Sequence, residues 1–237
     1  MDPGEVKEVA GALAALVGFL AALLGIPKYI QYRTRRDKMA LVRGAFESVV
    51  KSLASTVEVE RLAGAILLRR FFDPTSEVGF ASAPYTKEVV NVIASILRSQ
   101  ETGTLQKILV DSLAYAPSLR HADLQKTNLQ NAYLGSRVVS ERTEANRSVV
   151  DLSYADFYRS DLSGGSIKGA IARSAVFYQA RLQNTILKGA DLRNANFFEA
   201  DLDGAVFDGA LLKDASFKNA RNLPPSLVAR LDEHAVY

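Results

Sequence analysis

Cysteine is absent from all 237 residues, which excludes a disulfide framework, a thiolate zinc site and a cysteine nucleophile, and fits a reducing compartment. Histidine is scarce: His121 and His234 are the 2 in the chain, and both read as solvent-exposed side chains rather than ligands. A large charge excess is lacking as well. With 29 Lys and Arg against 26 Asp and Glu, the net charge of +3 argues neither for nor against nucleic acid, so the placement of charge matters more than its sum. There is no P-loop, no G-x-G-x-x-G following a strand and no G-x-S-x-G elbow. The chain is therefore read as no enzyme, with no cofactor and no metal.

What is present begins with a run that lacks charge and proline, VAGALAALVGFLAALLGI from Val9 to Ile26. As a helix rising ~1.5 Å per residue, such a run is about 27 Å long, close to the hydrocarbon thickness of a bilayer. A cleaved signal peptide needs a basic start and a small-residue cleavage site, and an interfacial helix needs a polar face. Neither pattern fits, so the run is expected to be a transmembrane helix. Lys28, Arg33, Arg35, Arg36 and Lys38 come directly after it, which by the positive-inside rule puts the N-terminus outside and the rest in the cytoplasm. The predicted location is the inner (cytoplasmic) membrane, as a single-pass protein. Gly11, Gly18 and Gly25 recur every seven residues and lay a bare stripe along the helix. Two accounts of that stripe stand: close helix association giving a homo-oligomer, or the ordinary abundance of glycine in membrane helices.

Between residues 38 and 118 the apolar period is near 3.6. A helix is expected over 39–55, and a second carries Val59, Leu62, Ala63, Ile66 and Leu67 on one face before Asp73-Pro74 ends it. Pro84 opens another with Val89, Val90, Ile93, Ile96 and Leu97, and Gly103 precedes a last one with Leu105, Ile108, Leu109 and Leu113. The expected work of this segment is to cap the open end of the C-terminal domain and to space that domain from the membrane.

After His121 a period of five sets in. It reads ADLQK, TNLQN, AYLGS, breaks, and resumes in a shifted frame as ADFYR, SDLSG, GSIKG and on to ASFKN. The second frame has fourteen centres from Leu152 to Phe217, all Leu, Ile or Phe except Ala172; the residue two before each is Ala, Ser, Gly or Thr except at Val150. Five residues match neither a helix turn nor a strand alternation, so each unit must be a short extended piece plus a corner. The large centre and the small residue before it then point inward, and the other three positions face water. Gly164, Gly169, Gly189, Gly204 and Gly209 stand two after a centre, where a corner needs relaxed backbone angles.

These units resemble the A(D/N)LXX consensus of the pentapeptide-repeat family over roughly residues 120–222. The resemblance implies a right-handed quadrilateral β-helix with four units per coil. With the preceding helical segment, it is similar to a membrane-anchored bacterial type. The expected fold class is thus mainly β: this solenoid, preceded by an N-terminal transmembrane helix and an α-helical segment. The domains are expected as an extracytoplasmic tail over 1–8, a transmembrane helix over 9–26 and a basic juxtamembrane linker over 27–38. An α-helical domain over 39–118, the β-helix over 119–222 with a frame break at about 140–149, and a C-terminal capping helix over 223–237 complete the set.

With four units per coil, residues twenty apart stack. One side then shows Tyr158, Tyr178 and Phe198, an aromatic ladder; the adjoining side shows Ser153, Arg173, Arg193 and Lys213, a basic wall. The candidate partner-binding residues are accordingly Tyr158, Tyr178, Phe198, Arg173, Arg193 and Lys213. The rings either form a contact patch or ladder for stability, and both readings stand here. Asp123, Asp156, Asp161, Asp191 and Asp201 recur in one outward slot, a structural position rather than an acid–base pair.

The first functional expectation is a membrane-tethered, non-enzymatic scaffold that recruits a protein partner of unknown identity. The alternative is an oligomerising membrane effector of stress or antiphage type, acting through its transmembrane helix. A DNA-mimic topoisomerase inhibitor needs a strongly acidic surface, and residues 120–220 hold thirteen basic against twelve acidic side chains. Single-stranded nucleic acid is disfavoured by the lack of a groove or binding signature.

Overall fold

Each five-residue unit closes on a turn whose first residue is the large centre and whose third has positive φ. In all fourteen units of the second frame the N–H three after the centre donates back to the centre's carbonyl, from Ala155 onto Leu152 to Ala220 onto Phe217. The residue two after the centre has φ between 54° and 69° throughout; nine of these are not glycine, among them Tyr154, Gln179, Asn194 and Glu199. A left-handed residue in third place is the mark of a type II turn, and Asn tolerates it best after Gly. Four turns close one coil. The residue before each centre then forms a parallel bridge with its counterpart twenty later, as in Asp151 with Ile171 and Asp156 with Val176.

This computed structural model describes residues 36–73, 75–78, 85–138 and 147–231. The chain divides into two compact units, residues 1–45 and 46–237. Helix α1 covers residues 36–53. The larger unit continues with α2 (Glu58–Leu68), a 3-10 turn (Arg69–Phe71), α3 (Thr86–Leu97), α4 (Thr104–Leu113), β1 (Arg137–Val138), β2 (Arg147–Ser148) and α5 (Pro225–Leu231).

The first coil is joined to the second by a longer step. Asp123 pairs with Asp156, Asn128 with Asp161 and Tyr133 with Ser166, each thirty-three residues apart instead of twenty. The extra length is bracketed by the antiparallel pair β1–β2, Arg137 opposite Ser148 and Val138 opposite Arg147. Leu119, buried at 1% exposure, is the centre of a unit ahead of Leu124, since its N–H donates to Asp151 as Leu124's does to Asp156.

Inside the column, centres and small residues interlock. Leu124, Leu129, Leu152, Phe157, Phe177, Leu182, Phe197 and Leu202 are fully buried, with Ala155, Ala175 and Ala200 between them. Phe157, Phe177, Phe197 and Phe217 stack nearly parallel at 4.8–4.9 Å between centroids, a ladder along the second side of every coil after the first. Phe207 meets Phe197 and Phe217 edge-on from the fourth side.

Both ends are closed by groups that imitate a further coil. At the N-terminal end Arg98 Nε donates to the Gln125 carbonyl at 3.1 Å and its Nη2 to that of Asp123 at 3.3 Å. The Asn128 N–H finds Leu97 O at 2.9 Å, and the buried Gln106 amide donates to the Asn128 and Gln130 carbonyls. These are the counterparts of groups that interior coils pair with one another. At the C-terminal end α5 buries Leu227 and Leu231. An open sheet edge is a template for unwanted pairing, and these contacts cover it.

Two expectations are corrected by this structure. The fold class is not mainly β: regular strand among the described residues is confined to the two-residue β1 and β2. Helix outweighs it. The physical reason is the unit length, since a corner in every five residues leaves one residue per side in ladder geometry, a bridge rather than a strand. The second correction concerns location. Among the described residues no helix is long and apolar enough to cross a membrane, so a single-pass placement in the inner membrane is not supported. The run over 9–26, with Gly11, Gly18 and Gly25, lies outside the described residues.

The packing of α2 also departs from its periodicity. Its buried residues are Gly64, Ala65 and Leu68. A Cβ added at Gly64 would come within 3.1 Å of Ser52 and Leu53, so the close approach of these elements selects the small face of α2. Val59, Ile66 and Leu67, expected inside, are 74%, 59% and 40% exposed.

Candidate partner-binding face

The outer aromatics occupy the second position of their turns, directly after the internal Phe ladder. The carboxylate of Asp156 accepts the Tyr158 N–H, and the side-chain oxygen of Asn196 accepts that of Phe198, both at 2.9 Å. Asx side chains thus fix the backbone from which each ring projects. Tyr158 and Tyr178 lie 5.1 Å apart at 31°, and Tyr178 and Phe198 5.3 Å apart at 62°. All three are half-buried, and Tyr178 stands between the other two. The ladder is bounded. In the coil before it the same position is Gln125, which donates to Asp156 at 2.7 Å, and in the coil after it the exposed Lys218. Along one flank runs a polar ladder: Arg159 Nε donates to Gln179 Oε1, and Gln179 Nε2 to Glu199 Oε2, each at 2.6 Å. The Arg159 guanidinium stands 5.0 Å over the Tyr158 ring.

The basic wall on the adjoining side is tied together internally. Arg173 Nε donates to Asp191 Oδ2 at 2.6 Å, while Arg193 donates to Oδ1 at 2.9 Å and to Oδ2 at 2.8 Å. The Arg193 hydrogen bonds foremost, with those from Arg173 and against the pull of burial, hold the Asp191 carboxyl far below the usual carboxylate range. Two guanidiniums share one carboxylate, and Lys213 is exposed in the coil beyond. The side therefore keeps a positive excess. Ser153, the fourth member of that column, is buried.

The structure brings Tyr158, Tyr178 and Phe198 together in one stack and Arg173 and Arg193 together on Asp191. It also adds residues outside the expected set. Arg120 holds the first-coil position of the basic wall, 4.0 Å from Asp151, and its guanidinium lies 4.9 Å over the Tyr154 ring. His121 stacks on Tyr154 at 4.9 Å and 12°. This cluster was hidden because the first coil is offset by thirty-three residues, so a twenty-residue stacking rule cannot align it. The signal that reveals it is Leu119, once placed in register with Leu152. Among the described residues no group of three His, Asp or Glu side chains is placed to hold a metal ion.

A column of four-sided coils, turned every five residues and closed at both ends, defines the class: a parallel repeat solenoid whose outer sides are available surface. Pentapeptide repeats, in eight copies, match residues 151–189, 175–214 and 190–221. Over residues 151–221, and so over the coils that follow the break, the chain carries the repeats of the pentapeptide-repeat family.

Solved structures similar to it include a pentapeptide repeat protein from the thylakoid lumen of Arabidopsis thaliana, at 20% identity over 49% of this chain and 76% of that one, TM-score 0.35. Rfr23 from the cyanobacterium Cyanothece 51142 is similar at 25% identity over 45% of this chain and 89% of that one, TM-score 0.26. HetL of Nostoc sp. strain PCC 7120, a pentapeptide repeat protein involved in heterocyst differentiation regulation, is similar at 28% identity over 44% and 52%, TM-score 0.22. No curated protein matches the chain.

Proposed function

We propose that this chain is a non-enzymatic interaction protein that docks a protein partner on the aromatic side of its column. The observation that carries the reading is the Tyr158–Tyr178–Phe198 stack, three large rings in consecutive coils, each half-exposed and backed by a rigid Phe ladder. Preorganised aromatics lose little side-chain entropy on binding and are the residue types enriched where interfaces are centred. The positive excess about Arg173, Arg193 and Lys213 flanks this patch and favours a partner with acidic residues at its rim. The carboxylates beside the ladder, Asp156 and Glu199, accept the Tyr158 N–H and the Gln179 amide, which favours binding over chemistry.

The test compares the full chain with a Tyr158→Ser, Tyr178→Ser, Phe198→Ser variant by affinity capture and quantitative mass spectrometry, with circular dichroism on both. A protein retained by the wild type and lost by a folded triple variant supports the reading. Capture that is equal for both, or a triple variant that no longer folds, makes the ladder a stabilising device instead.

A further inference from the structure

Helix α2 presents an apolar stripe to solvent. Val59, Ala63 and Ile66 succeed one another at four and three residues, Leu67 lies beside Ile66, and Arg70 continues the line one turn on. Val59 is 74% exposed, Ile66 59% and Leu67 40%, while the opposite face, Gly64, Ala65 and Leu68, is buried. An amphipathic helix normally turns its apolar face inward, and here the small face has taken that place.

The charges at the two ends of the stripe say what fits it. Glu58 and Glu60 lie in the first turn of α2, and Arg69 and Arg70 stand just beyond its last. Arg69 is held over the Tyr115 ring at 3.3 Å, so Arg70 is the cation in line with the stripe. A surface that is acidic at one end, apolar in the middle and basic at the other is complementary to itself when turned end for end. A twofold contact requires this of a patch, because the same residues must serve both copies. A parallel pairing would set Glu against Glu and Arg against Arg.

We propose that two copies of this chain associate through α2, antiparallel about a twofold axis near Ala63. The small Ala63 lets the helices approach at the crossing, Val59 of each copy meets Leu67 of the other, and Glu60 lies toward Arg70. This contact is independent of the aromatic side of the column, and the two can fail separately.

Sedimentation velocity on the full chain over a dilution series tests it. The wild type is expected as a dimer, and Ile66→Glu is expected to halve the mass with an unchanged circular dichroism spectrum. Val59→Lys, at the most exposed position, repeats the test should Ile66→Glu perturb folding. Glu60→Arg and Arg70→Glu are each expected to weaken association several-fold, and the two together to restore it. A monomeric wild type, association that Ile66→Glu and Val59→Lys leave unchanged, or a double reversal no tighter than its single parents overturns the proposal.

Discussion

Arg230 reaches back from α5 to donate Nη2 to the carbonyl of Ala210 at 2.6 Å, and its Nη1 reaches Phe207 O at 2.7 Å. In the interior coils the carbonyl equivalent to that of Ala210 accepts a backbone N–H from the next coil, as Ala190 O does from Leu211. The guanidinium therefore stands where a further coil would have paired. Replacing it with Ala is expected to cost about 1.5–3 kcal/mol, the range for hydrogen bonds involving a charged group. Chemical denaturation of Arg230→Ala against wild type measures this. A loss of stability accompanied by concentration-dependent self-association would show that the uncovered edge is what Arg230 protects.

The repeat was legible because its interior imposes two requirements at once, a large centre such as Phe177 and a small residue such as Ala175 two before it. The corners were only partly legible. Glycine at 164, 169, 189, 204 and 209 marks five of them, but Tyr154, Gln179 and Glu199 adopt the same left-handed backbone with no hint in their residue type. Coil-to-coil hydrogen bonds outweigh the local preference there. Leu119 stands five before Leu124, in phase with the first frame, but Pro117 takes the place of the small residue two before it, so its unit lacks half of the pattern. The contacts that close the two ends were illegible for a different reason: Arg98, Gln106 and Arg230 act on carbonyls distant in sequence, and no local pattern reports that. The face of α2 misled because periodicity measures hydrophobicity, whereas the neighbours at Ser52 and Leu53 require small size.

The corners supply a second prediction. Gly189 has φ of +66° and open space where a Cβ would stand, so Gly189→Ala bears the backbone cost alone, about 1–2 kcal/mol. Gly204 has φ of +67°, and a Cβ there would also collide with the side-chain oxygen of Asn184. Gly204→Ala is therefore expected to lose more than Gly189→Ala. Paired thermal denaturation curves read the difference, and equal losses would mean that Asn184 moves aside freely.

The internal Phe ladder supplies a third. Phe197 touches Phe177 and Phe217 face to face and Phe207 edge-on, and it is fully buried. Truncation to Ala opens a cavity that the coil hydrogen bonds prevent from collapsing, with an expected loss of about 3–5 kcal/mol. Phe197→Leu keeps most of the volume and is expected to cost much less. Urea denaturation of both variants separates the packing effect from any change in the backbone coil.

Acid is expected to loosen the column through its shared carboxylates. Arg193 and Arg173 hold Asp191 well below the ordinary range; at Asp161 burial pushes upward but is outweighed by hydrogen bonds from Ser163 and Gln130. At Asp201 burial is likewise outweighed, by bonds from Asn222, Asp203 and Gln183. A carboxyl whose folded value lies below its unfolded value of about 3.9 contributes stability that is fully present above that pH and fades as pH falls toward the folded value. The melting temperature should therefore be flat through neutral pH and drop below about pH 4. Asp191→Asn removes one of these groups and leaves Arg173 and Arg193 facing each other without their anion. It is expected to lower the melting temperature at pH 7 and to make the acid limb shallower than in wild type. A variant with the wild-type acid limb would assign the pH dependence to the remaining carboxylates and leave the Asp191 clamp without a part in it.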